Sequence, residues 1–213
     1  MIAGGTETVA TVVEWGLSEL LKNPETLERA MDELDRVVGR KRWVEEKDIG
    51  ALDYLQWVVK ETMRLNPVVP MLVPRLSTEA CRIAGYDIPA NTRLFVNAWS
   101  IGRDGKLWEN PEEFRPERFK GSTVDVNGRD YKLLPFGSGR RMCPGYNLGL
   151  RVVQIALANL IHGFQWELPD GQSDKDLDMG ETFGLTCPKT YPLVAMARPR
   201  LPSHLYHFNS SHS

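Results

Sequence analysis

The sequence predicts a mainly α protein with small β-sheets. Apolar residues recur at helical spacing through most of the first 65 residues. Short β-like pieces separated by turn residues begin near Met71. A long apolar helix, Pro144 to His162, follows an irregular stretch rich in Gly, Pro, Arg and Asp. Composition agrees: of 213 residues, 42% are hydrophobic and 25% charged, as in an ordinary globular protein. Lys plus Arg number 26 against 28 Asp plus Glu, a net charge of -2, which argues against nucleic acid as the main partner. The three cysteines, Cys81, Cys143 and Cys187, are odd in number and widely spaced, so they fit neither a disulfide framework nor a zinc site. A reducing compartment is the default.

Residues 2–22 read as a helix striped by Val9, Val12, Val13, Leu17, Leu20 and Leu21. Asn23 and Pro24 open the next, with Asn as N-cap and Pro at the first helical position, and Gly39 closes it. A third helix runs from about Leu52 to Leu65 and stops before Pro67. The β-like pieces are Met71 to Leu76, Arg82 to Ile83, Asp87 to Ile88 and Arg93 to Val96. The irregular stretch, residues 104–143, is long enough to be functional or disordered, and its aromatics favour order. Short strands and loops are expected from Phe164 to Arg200, and a loose tail from Pro202. The best apolar run, Val152 to Ile161, is too short to span a bilayer and contains Gln154 and Asn159. Met1 leads straight into an apolar, Gly-rich helix without a cap, so a truncated chain is expected.

The segment from Phe136 to Gly145 carries the most chemistry. Cys143 precedes Pro144, where the expected helix begins, and so stands at an N-cap whose free N–H groups and dipole favour an anion and suit a metal-binding thiolate. Gly137, Gly139 and Gly145 let the backbone pass close to a flat ligand, and Arg140 and Arg141 are placed to neutralise carboxylates. Two blander readings stand beside this one: a small buried thiol, or a phosphate cradle. The P-loop signature Gly-Lys-Ser/Thr is absent.

The spacing Phe136, Gly139, Arg141, Cys143, Gly145 resembles the haem-binding loop of the cytochrome P-450 family. Three more motifs agree in order. Glu61-Thr62-Met63-Arg64 puts Glu and Arg on one helical face, alone no more than a surface pair worth under about 1 kcal/mol. It is similar to the family's Glu-x-x-Arg motif, whose partner would be Arg118 of Pro116-Glu117-Arg118-Phe119. Gly4-Gly5-Thr6-Glu7-Thr8 resembles the family's oxygen-binding helix, and Val73-Pro74-Arg75 its strand arginine. The flanking of the loop and the run Arg103-Asp104 to Phe119 look like plant microsomal members; Asn66 departs from a frequent His.

The resemblance implies the C-terminal half of the cytochrome P-450 fold, with residues 1–201 as a partial domain and 202–213 as a loose tail. It implies haem b with Cys143 as the axial thiolate, Arg141 and Arg75 on propionates, and Phe136 shielding the sulfur, with Gly139 and Gly145 in the haem loop. Thr8 and Glu7 would manage protons, while Glu61, Arg64 and Arg118 would form a buried network. Gly4, Val68, Val69, Met71, Leu72, Val73, Phe183, Gly184 and Leu185 would line an apolar substrate pocket.

The implied activity is insertion of one atom of dioxygen into a lipophilic small molecule of plant specialised metabolism. Electrons would come from NADPH through a reductase steered by Lys132, Arg140 and Arg141. An N-terminal anchor absent from this chain would hold the enzyme on the cytosolic face of the endoplasmic reticulum. Two other readings stand. Haem-thiolate hydroperoxide isomerases or lyases of plants lack the distal Thr and carry a loop insertion, whereas Thr8 is present and the loop uninterrupted. The other is a non-catalytic partial chain.

Overall fold

The computed structural model describes residues 2–169 and 171–207. Four helices make the body: α1 (Ile2–Lys22), α2 (Pro24–Val37), α3 (Asp53–Leu65) and α5 (Tyr146–Gly163); a short α4 (Ala98–Gly102) packs against α3. α1 lies against α2, α3 and α5, and the core between them is built from Leu20, Leu34, Leu55, Val58, Leu157 and Ile161, all essentially inaccessible. Leu20 belongs to the stripe expected of the first helix, and the others line the buried faces of theirs, because one apolar face per helix is what such a body can bury.

Three antiparallel two-stranded ladders sit outside the bundle. β1 (Arg75–Leu76) pairs with β4 (Arg93–Leu94), β2 (Cys81–Ile83) with β3 (Tyr86–Ile88), and β5 (Phe164–Glu167) with β6 (Met196–Pro199). The registers are Arg75 opposite Leu94, Cys81 opposite Ile88, and Phe164 opposite Pro199. Most residues of β1 to β4 are exposed, which is why periodicity located these pieces only roughly.

Several expectations need correction. Asn23 occupies the N-cap of α2, yet its side chain caps nothing there; Nδ2 donates to the Glu19 carbonyl at 2.8 Å, closing α1 instead. The helix after the cysteine loop starts at Tyr146 with Gly145 as N-cap, not at Pro144, and runs one residue beyond His162, to Gly163. The stretch from Pro202 is not loose throughout. Residues 203–206 form a 3-10 turn, and the Tyr206 hydroxyl donates to the Gly163 carbonyl and accepts from the Arg200 and Leu201 N–H groups at 2.9 and 2.8 Å. The Tyr206 ring packs edge-on to Trp43 at 5.4 Å. The remainder of that stretch, 208–213, lies outside the described residues. No helix among the described residues is long and apolar enough to cross a membrane.

Candidate haem-thiolate site

The irregular stretch is held from beneath by a buried ionic network. Arg64 and Glu61 are fully buried and Arg118 nearly so. Arg64 Nε and Nη2 donate to Glu61 Oε2 and Oε1 at 2.7 and 2.9 Å, a bidentate pair. Its other donors reach the carbonyls of Gly102, Pro111 and Glu113, so all five N–H groups are used. Arg118 Nε donates to Glu61 Oε1 at 2.8 Å, and its remaining nitrogens reach the Glu109, Asn110 and Glu113 carbonyls. The Arg115 N–H also donates to Glu61 Oε1 at 2.8 Å. Trp108 covers both guanidinium groups, at 5.5 and 6.0 Å from its ring. Gly102 makes this approach feasible: a Cβ there would collide with the Arg64 carbonyl.

From that platform the chain rises into the cysteine loop. Gly137 and Gly139 take φ of 72° and 71°, a left-handed backbone that glycine adopts without strain. These two turns fold the loop back so that the Cys143 N–H donates to the Phe136 carbonyl at 2.9 Å. The Cys143 carbonyl accepts from the Tyr146 N–H at 3.3 Å, so Cys143 stands two residues before the N-cap rather than at it. Its thiol is exposed, which removes the reading as a buried hydrophobe; that description fits Cys187, which is buried. The Phe136 ring is half-buried, 6.2 Å from Tyr146. Arg140 and Arg141 are exposed in a 3-10 turn, and Gly145 caps α5.

Arg75 approaches this loop from β1: its Nη2 donates to the Arg141 carbonyl at 3.3 Å. The loop and the start of the sheet region are therefore in contact, with Leu72 beneath Gly137. From there Val68 leads to the C-terminal segment, because its carbonyl accepts from the Cys187 N–H at 2.8 Å. That segment reaches α1, where Thr186 Oγ1 donates to Glu7 Oε1 at 3.2 Å and Trp15 Nε1 to the Cys187 carbonyl at 3.0 Å. The expected residues thus lie along one continuous path of contacts: cysteine loop, Arg75, residues 68–73, residues 183–187, Glu7.

Within the expected pocket lining, Val68 and Leu72 are buried, Val69 and Met71 half-buried, and Gly4, Val73, Phe183, Gly184 and Leu185 exposed. Thr8 Oγ1 donates back to the Gly4 carbonyl at 2.7 Å, a local bond of the helix. A groove of about 550 Å³ runs between α1 and α5 along Val9, Val13, Leu17 and Ala156; it touches neither Cys143 nor Thr8 and is not this site. Sequence reasoning missed Thr186, which meets Glu7 across 179 residues, and it missed the roles of Trp108 and Gly102. No local signal marks any of the three.

The donor chemistry fits a haem. Among the described residues no group of three or more His, Cys, Asp or Glu can hold a bare metal ion. A lone exposed thiol suits a metal whose other ligands come from a macrocycle, and Arg75 and Arg141 beside it suit that group's carboxylates.

These features fit a haem-thiolate type of protein, and comparison with known proteins gives the family. The cytochrome P450 family model matches residues 1–194, and the chain belongs to that family. It is 53% identical to trimethyltridecatetraene synthase of Zea mays over 97% of its own length and 38% of that protein's. It is 50% identical to a flavonoid 3',5'-hydroxylase of Eustoma exaltatum over 97% of its length and 41% of the relative's. A solved structure of a zebra fish cytochrome P450 with abiraterone superposes with a TM-score of 0.82 at 33% identity, covering 92% of this chain and 45% of that one. The fold is accordingly that of the C-terminal half of a cytochrome P450, and the chain spans about two fifths of the length of the plant relatives it matches. The family implies haem with a thiolate ligand and monooxygenase chemistry.

Proposed function

We propose that the chain is the haem-holding half of a monooxygenase that inserts one atom of dioxygen into a lipophilic plant metabolite. One observation carries the reading: an exposed thiol, on a loop turned by two left-handed glycines, in contact with a second arginine brought from β1. Cys143 would be the thiolate that holds the haem iron, with Phe136 and the glycines Gly139 and Gly145 shaping its loop; Arg75 and Arg141 would hold the propionates. When bound, haem b supplies the oxygen activation that no side chain can perform.

The chain's own residues manage substrate and protons. Exposed Val73, Phe183, Leu185 and Gly4, together with half-buried Val69 and Met71, would offer apolar surface to a lipophilic substrate. The Thr8 hydroxyl, donating to Gly4, keeps its lone pairs free to accept from a water, and the Glu7 carboxylate nearby on the same helix is the acid that resupplies protons. Exposed Lys132, Arg140 and Arg141 give a basic surface beside the cysteine loop for an acidic NADPH-dependent reductase. The reading includes attachment of the whole enzyme to the endoplasmic reticulum, facing the cytosol.

The test is turnover of terpenoid, fatty-acid and phenylpropanoid panels by the full-length enzyme with reductase, NADPH and heavy-isotope dioxygen. Product carrying one labelled oxygen supports the reading. Conversion of hydroperoxides without NADPH, and no labelled product from any panel, would sink it.

A further inference from the structure

Glu7 is exposed on the first turns of α1, and its long side chain has many conformations to lose if it is to serve one direction. The residue that meets it is held far more tightly. Residues 180–190 form a hairpin-like loop: the Thr182 N–H donates to the Pro188 carbonyl at 2.9 Å, the Thr190 N–H to the Gly180 carbonyl at 2.8 Å, and Glu181 bridges Lys189. Cys187, next to Thr186, is fixed by both backbone groups. Its N–H is on the Val68 carbonyl at 2.8 Å and its carbonyl is under the Trp15 indole at 3.0 Å. Both anchors are buried, so the backbone beside Thr186 cannot wander. From this fixed point Thr186 Oγ1 donates to Glu7 Oε1 at 3.2 Å.

We propose that Thr186 is the positioning residue for the Glu7 carboxylate, joining the segment that presents Phe183 and Leu185 to the acid of α1. This rests on the reading of Glu7 as the acid of proton delivery. A hydroxyl donating to one carboxylate oxygen fixes the rotamer of the acid and leaves its second oxygen to exchange protons with water. The same five-residue stretch, 183–187, then both faces the substrate and aims the acid, so a substrate pressing on Leu185 acts on the residue beside it.

The experiment uses the haem-loaded full-length enzyme carrying Thr186→Val, Thr186→Ala, Thr186→Ser or Glu7→Gln. One readout is the infrared stretch of carbon monoxide on the reduced haem, which senses charge and hydrogen bonding opposite the thiolate. The other is the ratio of peroxide to water released per NADPH with reductase and no added substrate, because a late proton lets peroxide escape. Thr186→Val and Thr186→Ala should shift the band in the same direction as Glu7→Gln. They should also raise the ratio about fivefold, the net weight of one ordinary solvent-exposed hydrogen bond. Thr186→Ser should match the unsubstituted enzyme in both. If Glu7→Gln moves both readouts while the Val and Ala variants move neither, Thr186 does not hold the acid and the inference is overturned. If Glu7→Gln moves neither, the reading of Glu7 fails first and the inference goes with it. Loss of the haem spectrum in both the Val and Ala variants also overturns it, because the hydroxyl then serves the fold.

Discussion

Three thiols in one chain have three different surroundings, and that decides which of them can meet a metal. Cys187 is buried, and burial together with the Glu181 carboxylate pushes its thiol up to about 11, so it stays protonated and inert. Cys81 is exposed on β2, in a hairpin flanked by Arg82 and away from the glycine-turned loop. Cys143 alone stands on that loop, near Arg75 and Arg141. Cys143→Ser in the full-length enzyme should therefore abolish the thiolate-type carbon monoxide difference band, while Cys81→Ala and Cys187→Ala keep it. An unchanged band in the serine variant would mean that another residue ligates the iron. Thr8 makes a different kind of test, because among the described residues its hydroxyl bonds within its own helix, to Gly4. Thr8→Ala should leave haem binding intact and divert NADPH electrons to peroxide. Equal coupling of NADPH to product in both enzymes would remove Thr8 from proton delivery.

At the scale of elements, α3 acts as the post on which the irregular stretch hangs. Each charge in the Glu61, Arg64 and Arg118 cluster is neutralised or hydrogen-bonded, and stripping one partner strands the others in a place water cannot reach. Arg64→Ala should cost about 3–5 kcal/mol and release haem. Gly102→Ala, which touches no charge but pushes a methyl into the Arg64 carbonyl, should lower stability by about 1–3 kcal/mol. Thermal denaturation of the haem-loaded enzyme measures both, and two fully stable variants would reduce the cluster to decoration.

The end of α5 carries a pH dependence. His162 Nε2 donates to the Arg42 carbonyl at 3.0 Å, while Nδ1 is buried with no partner among the described residues. Burial, reinforced by the charge of Arg200 and opposed by the Arg42 carbonyl, holds the imidazole below its ordinary value of 6.5. The unfolded chain then binds a proton that the folded one refuses, so this stability is present above 6.5 and is lost as pH falls toward the folded value. The melting temperature should drop on acidification between about pH 7 and 5, and His162→Gln should flatten that slope.

At the scale of the whole molecule, the described residues leave apolar surface open around the site. Leu148 on α5 is 69% exposed, Phe183 73% and Leu185 65%, and a groove of about 550 Å³ runs along α1 and α5. Exposed apolar surface of this kind favours association. Its uncovered area weighs heavily against a net stability of about 5–15 kcal/mol. Residues 1–213 expressed alone should therefore bind haem weakly, aggregate, and show no NADPH-dependent turnover with reductase. Spectral titration with haem and size-exclusion chromatography measure this, and a monodisperse chain with a full thiolate spectrum would contradict it.

The sequence by itself determined the helices and the kind of chemistry. Stripes such as Leu20 to Leu157 must face a core, and Phe136, Gly139, Arg141, Cys143 and Gly145 are legible as a loop because their spacing is local along the chain. It also paired Glu61 with Arg64, since three residues of helix put both on one face. Beyond the Arg118 partner that the family resemblance implied, what it could not carry was the relations whose partners are distant or whose cause is backbone crowding. The turn that moves the start of α5 beyond Cys143 depends on the Phe136 carbonyl claiming the Cys143 N–H, and the order around Tyr206 depends on Trp43 and Gly163 arriving beside it. The Arg64 donors reach carbonyls of Gly102, Pro111 and Glu113, and Thr186 reaches Glu7, only because the tertiary structure brings those atoms within hydrogen-bonding distance. Backbone carbonyls are the same in every residue, so no side-chain pattern can announce which of them a buried guanidinium will find.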